Sequence, residues 1–249
     1  QQIFQHTIMG RIKMKRNLIT LLGISILSLL FITVNSGCSD KQRDAEEHYD
    51  IGTMHWKQGM FDEAIEEFKK TVSIFPNFEK AHFSLGCVYT QKGEFDLAIE
   101  SFKRGLEIRP DWVEAHTNLG AAYETNSMGR EAMEEYKKAL KLNPDIPQSH
   151  VNLGNLFLKM ERFDEAIGEY NIAIKLEPEF AEAYNNLGYV YFKMSNYSLA
   201  INNFKKAIEQ KPGYIAAYNN LGQAYIKVGM RDKAREQYDI VHELTGKNK

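Results

Sequence analysis

The sequence predicts an all-α solenoid built from six helix-turn-helix units. Three regularities predict it. An apolar residue followed by glycine recurs every 34 residues, at Ile51-Gly52, Leu85-Gly86, Leu119-Gly120, Leu153-Gly154, Leu187-Gly188 and Leu221-Gly222. Prolines keep the same step at Pro76, Pro110, Pro144, Pro178 and Pro212. So do an alanine series (Ala64, Ala98, Ala132, Ala166, Ala200, Ala234) and an aromatic series (Phe68, Phe102, Tyr136, Tyr170, Phe204, Tyr238). A fixed period of this length marks units that bury their apolar faces only by stacking on neighbours. The units are 45–78, 79–112, 113–146, 147–180, 181–214 and 215–246, without insertion, followed by a tail at 247–249.

Number each unit from its first residue. Positions 3, 4, 7, 8, 10 and 11 are mostly small, apolar or aromatic, and at about 100° per residue they fill one arc of a helix. The glycine at position 8 and the alanine at position 20 admit a close partner helix. Positions 15 and 16 (Gly59-Met60, Gly93-Glu94, Gly229-Met230) make the turn. The proline at position 32 ends the second helix. The end units differ from the middle ones. Position 3 is Ala or Ser in the later units but Glu47 in the first, while Arg231, Arg235 and His242 replace the apolar or aromatic residues usual at positions 17, 21 and 28. A polar face where a further unit would stack predicts that the array ends near residue 246.

This pattern resembles the tetratricopeptide repeat, W-x2-L-G-x2-Y, then A-x3-F, then P. The resemblance implies twelve helices wound as a right-handed superhelix. It also implies that positions 2, 5, 6, 9, 12 and 13 of the first helix line a concave face that binds partners. In the amino half that face is mixed (Tyr49, Trp56, Phe83, Cys87, Thr117), with Lys57 at position 13. In the carboxy half it is rich in amides: Asn118, Asn152, Asn186 and Asn220 at position 6, Asn185 and Asn219 at position 5, and Asn155 and Gln223 at position 9. Lys159, Lys193 and Lys227 recur at position 13.

An amide both donates and accepts, so this row can pair with the backbone of an extended peptide. Helices about 10 Å apart would meet about every third residue of a strand rising about 3.3 Å per residue. The asparagines resemble the ladder of the O-linked N-acetylglucosamine transferases. The lysine row favours acidic side chains or a carboxyl terminus. The alternative is that the asparagines stay solvated. The carboxylate clamp for chaperone tails has Lys at position 5 and Asn at position 9, a pair that no unit contains.

The amino-terminal region reads separately. Lys13-Met14-Lys15-Arg16 precedes an apolar run from Leu18 to Val34, then Asn35-Ser36-Gly37-Cys38. A basic start, an apolar middle and small residues at the end make a secretory signal over residues 1–37. Met14 gives a more usual signal length, so residues 1–13 are expected to be an overextended start. The ending resembles the bacterial lipoprotein box, with Asn35 where that family has Leu. The resemblance implies that Cys38 carries the lipid and that 38–44 is a lipidated tether. Ser39 resembles outer-membrane sorting, which puts the array in the periplasm of the bacterial envelope. An uncleaved inner-membrane signal anchor is the alternative.

Residues 1–37 hold four cations and no acid, leaving 27 cations against 33 acids in the remainder. A mildly acidic body argues against general nucleic-acid binding. With Cys38 lipidated, no second cysteine is left for Cys87 to bridge, so no disulfide framework is expected. His48, His82, His116 and His150 all take position 4, a spacing too wide to share one metal ion, and read as packing residues. Glu66-Glu67 and Glu134-Glu135 read as solvated helix faces. There is no phosphate loop and no zinc or metalloprotease spacing, so no cofactor or metal is expected. The chain reads as a membrane-tethered scaffold, not an enzyme, that holds an extended protein or peptide segment in its groove. The alternative is an assembly factor for a secretion or pilus machine that uses its convex or end surfaces.

Overall fold

A computed structural model describes residues 40–246. Among them are twelve helices and no strand. The signal segment, the lipidation site at Cys38 and the tail at 247–249 lie outside the described residues. Helix α1 spans 40–57 and therefore begins inside the stretch expected to be a tether. Residues 40–44 join it because polar, unbranched side chains form local pairs there, Arg43 with Asp40 at 3.3 Å and Gln42 with Glu46 at 3.0 Å.

The remaining helices are α2 (Phe61–Ile74), α3 (Glu79–Lys92), α4 (Phe95–Ile108), α5 (Val113–Thr125), α6 (Gly129–Leu142), α7 (Pro147–Lys159), α8 (Phe163–Leu176), α9 (Ala181–Lys193), α10 (Tyr197–Gln210), α11 (Ile215–Lys227) and α12 (Arg231–Gly246). Two different devices end them. The first helix of each unit closes on a left-handed residue at position 15: Gly59 (φ 77°), Gly93 (φ 77°), Ser127 (φ 61°), Glu161 (φ 58°), Ser195 (φ 60°) and Gly229 (φ 81°). The next backbone N–H then reaches back to a carbonyl five residues earlier, as from Glu94 to Tyr89 at 2.9 Å and from Met128 to Tyr123 at 2.8 Å. The second helix ends because the residue before each proline is driven out of the α region. Phe75 (φ −129°, ψ 87°) and Asn143 (φ −142°, ψ 102°) show it.

The chain forms two compact units, divided between Val88 and Tyr89. In the first, Phe68 is fully buried and packs against Tyr49 and Trp56, with ring centroids at 5.5 and 6.5 Å. Tyr49 also stacks on Phe78 at 5.1 Å.

In the second unit the helices pair in order: α5 with α6, α7 with α8, α9 with α10, and α11 with α12. Each pair stacks on the next through α6–α7, α8–α9 and α10–α11, while α4 packs on α5. The first helices also touch one another, α5 with α7, α7 with α9 and α9 with α11, and so form one row.

The position-8 glycines are needed because the position-24 ring lies directly on them. A Cβ on Gly120 would sit 2.7 Å from the Tyr136 ring, and one on Gly188 would sit 2.8 Å from Phe204. The alanines at position 20 are buried throughout. On the last helix only Ala234 is buried, and Arg231, Arg235 and His242 are exposed as the sequence predicts.

Candidate partner-binding groove

The row of first helices in the second unit carries the candidate amides, and the structure links several of them. Tyr170 donates its hydroxyl to Asn155 Oδ1 at 2.7 Å. Asn186 Nδ2 donates to the same oxygen at 2.9 Å. Asn185 Nδ2 donates to Asn186 Oδ1 at 3.1 Å, and Asn220 Nδ2 donates to Asn185 Oδ1 at 2.9 Å. One hydrogen-bonded chain thus runs from α8 through α7 and α9 to α11. Burial pushes the Tyr170 phenol upward, so the hydroxyl stays a neutral donor.

Asn185 is 6% exposed and engaged at both ends of its amide, so it holds its neighbours in register. Asn186 and Asn220 are half-buried, and each keeps hydrogen-bonding capacity beyond these bonds. Asn152 accepts from Gln148 Nε2 at 3.0 Å, one turn away on the same helix, and is not part of the chain. Asn118 and Asn219 are half-buried, and Gln223 is exposed.

The three lysines are all exposed but not equivalent. Lys159 Nζ lies 2.5 Å from Glu124 Oε1, whose other oxygen accepts the Tyr136 hydroxyl at 3.0 Å. Neither Lys193 nor Lys227 has an ion-pair partner among the described residues. Reading the lysines as one row missed Glu124. The signal was available: Glu124 stands 35 residues before Lys159, at position 12 of the preceding unit.

The position-4 histidines do more than pack. His116 Nδ1 donates to Glu135 Oε2 at 2.6 Å, and its Nε2 donates to the Pro110 carbonyl at 3.0 Å. His150 has the same neighbours, with Nδ1 2.6 Å from Glu169 Oε2 and Nε2 2.9 Å from the Pro144 carbonyl. His48 meets Glu67 at 2.6 Å, whereas His82 Nε2 meets the Pro76 carbonyl at 2.9 Å. Two acceptors around the His116 ring favour its doubly protonated form. The hydrogen bond to Glu135 raises the His116 pKa against the opposing effect of burial.

Glu67 and Glu135 therefore correct an expectation. Glu66 and Glu134 are exposed, but their neighbours turn inward. Glu135 is 8% exposed. Burial works against its carboxylate, yet the hydrogen bonds from His116 and Lys138 outweigh it and hold the pKa below its ordinary value. Helical arcs taken from one helix alone miss a partner supplied by another.

Family comparison agrees with this architecture. Models described as "TPR repeat" match residues 86–127, 130–161 and 154–195, and models described as "Tetratricopeptide repeat" match 45–78, 181–214 and 203–236. The chain belongs to the tetratricopeptide repeat family. Its fold is the family's all-α repeat fold, and its general role is protein–protein interaction.

Among solved structures, a MamA protein is 32% identical, with a TM-score of 0.59, over 68% of this chain and 92% of that one. PilW, described as a widely conserved type IV pilus biogenesis factor, is 19% identical, with a TM-score of 0.72, over 80% of this chain and 92% of that one. YrrB, described as a tetratricopeptide protein with an unusual peptide-binding site, is 22% identical, with a TM-score of 0.56, over 71% of this chain and 91% of that one. The likenesses to PilW and YrrB are those of fold. No curated protein sequence matches. No helix among the described residues is long and apolar enough to cross a membrane.

Proposed function

We propose that this tetratricopeptide protein holds an extended segment of a partner protein along the first helices of its carboxy half. The observation that carries this reading is the bonded amide chain from Asn155 to Asn220, flanked by the exposed Lys193 and Lys227. The internal bonds fix the amides in place before a ligand arrives, which lowers the ordering cost of binding. The remaining amide valences on Asn186 and Asn220 suit a peptide backbone, together with Asn118, Asn152, Asn219 and Gln223 along the row. The lysines suit carboxylates.

A pull-down from detergent-solubilised membranes, followed by mass spectrometry, supplies the partner. Titration of that partner's segment then compares wild type with the triple variant Asn152→Ala, Asn186→Ala, Asn220→Ala. Weakened binding with helicity intact is expected. Unchanged affinity would place the binding site elsewhere on the array.

The proposed setting is the bacterial cell envelope, with the array tethered through a lipid on Cys38. Its support is the basic, apolar, small-residue and cysteine order of residues 13–38. Intact-mass analysis of the membrane form tests it, and a mature chain that keeps residues 14–37 would refute lipid processing. A role in assembling an envelope machine is the second reading. The fold shared with PilW favours it, and its sign would be partner recovery that survives substitution of the groove asparagines and lysines.

A further inference from the structure

The offset that neutralises Lys159 fails in the next two units, and the failure leaves a surface of a different kind. Lys159 reaches Glu124 across a step of 35 residues. The same step takes Lys193 to Leu158 and Lys227 to Phe192, both apolar. Position 12 thus changes from an acid to Leu158, Phe192 and Ile226, while the cation beside it is kept.

Phe192 lies against Tyr189 with ring centroids 6.4 Å apart and planes 10° from parallel, and it meets Tyr197 edge-on at 5.6 Å. Tyr189 is 36% exposed and Ile226 is 51% exposed. Helices α9 and α11 touch, so Tyr189, Phe192 and Ile226 occupy adjacent places on one row. Scattered exposed apolar residues need no explanation. Two exposed side chains flanking the half-buried Phe192, beside two cations without an ion-pair partner among the described residues and at the end of a bonded amide chain, do.

We propose that α9 and α11 form a composite subsite for an acidic–apolar pair in the partner segment. An aromatic or large aliphatic side chain would rest on Tyr189, Phe192 and Ile226, and a neighbouring carboxylate would sit between Lys193 and Lys227. This deepens the groove reading and rests on it. Charge complementarity selects the occupant. The two lysines have no acid of their own among the described residues, and an apolar ligand without a carboxylate would leave them unmatched. A basic ligand would be repelled.

The test is a random peptide display selection on the full chain purified in detergent, followed by fluorescence titration of the enriched peptide. The expected peptides carry a large apolar residue next to Asp or Glu. Ile226→Ser should weaken binding about tenfold, the loss expected for withdrawing one apolar contact. Lys193→Ala with Lys227→Ala should weaken it several-fold and flatten its salt dependence. All three positions are exposed, so folding is preserved and circular dichroism checks it.

Enriched peptides without the acidic–apolar pair, but still lost with Asn186→Ala and Asn220→Ala, would overturn the subsite and leave the groove reading standing. Recovery of no groove-dependent peptide would overturn both. A concentration-dependent dimer abolished by Ile226→Ser would identify a second copy of the chain as the occupant and overturn the proposal.

Discussion

Two glycine-to-alanine substitutions, one unit element apart, should change stability in opposite directions. Gly154 sits under Tyr170. A Cβ there would lie 2.7 Å from Cε1 and 3.0 Å from both Cδ1 and Cζ. Comfortable carbon contacts are about 3.5–4.0 Å, so the ring would have to retreat by nearly an ångström. Tyr170 is fully buried, so its retreat would press on packed neighbours. Retreat would also draw its hydroxyl from Asn155, now 2.7 Å away.

Overpacking costs about 1–3 kcal/mol and the lost hydrogen bond about 1 kcal/mol. Alanine's better helix propensity returns about 1 kcal/mol. Gly154→Ala should therefore destabilise by about 1–3 kcal/mol. Gly168 lies within α8 with nothing inside 4 Å of its added Cβ, and it is exposed. Gly168→Ala should stabilise by about 0.5–1 kcal/mol from propensity alone. Thermal and urea melts followed by circular dichroism measure both, with about 2–4 °C expected per kcal/mol for a chain of this size. If Gly154→Ala stabilises like Gly168→Ala, ring-on-glycine contact does not set the helix spacing.

Three further predictions test other parts of the fold. Ala166→Phe should destabilise the array by a few kcal/mol, because position 20 is fully buried between paired helices; an unchanged melt would refute the close contact. Glu161→Gly and Ser195→Gly should each stabilise by about 1 kcal/mol, since both residues hold positive φ where an L side chain is disfavoured; loss of stability in urea melts would mean that their side chains support the turn. The His116–Glu135 pair should make stability depend on pH. The His116 pKa is raised above its ordinary 6.5, so its contribution is complete below about pH 6.5 and is lost as pH rises through the folded value. The Glu135 pKa is lowered from 4.5, so its contribution is complete above about pH 4.5 and is lost as pH falls through the folded value. The stability difference between wild type and His116→Gln should peak between those limits. A difference that grows from pH 6.5 to 9 would contradict the paired imidazolium.

The 34-residue period was enough to identify the all-α repeat fold. Glycine, alanine and proline at fixed places state the backbone requirements directly: close approach at positions 8 and 20, and an enforced stop at position 32. Position 15 shows where that legibility thins. Gly59, Gly93 and Gly229 announce the left-handed turn, whereas Ser127, Glu161 and Ser195 adopt it without a compositional sign, because the stacked helices on either side hold the backbone there.

The sequence by itself determined the repeat class, the row of amides and the polar last helix, since each is a property of residue type at a helical position. Tertiary structure alone decided how those residues are used. It engaged Asn185 within the amide chain, joined Asn155 to Tyr170, paired Lys159 with Glu124, left Lys193 and Lys227 without an ion-pair partner among the described residues, and turned Glu135 inward to His116. The physical reason is that each bonded side chain meets a different helix, 15 to 35 residues away. The pattern within one helix sets the face on which a side chain lies, but only the packing of helices sets what it meets.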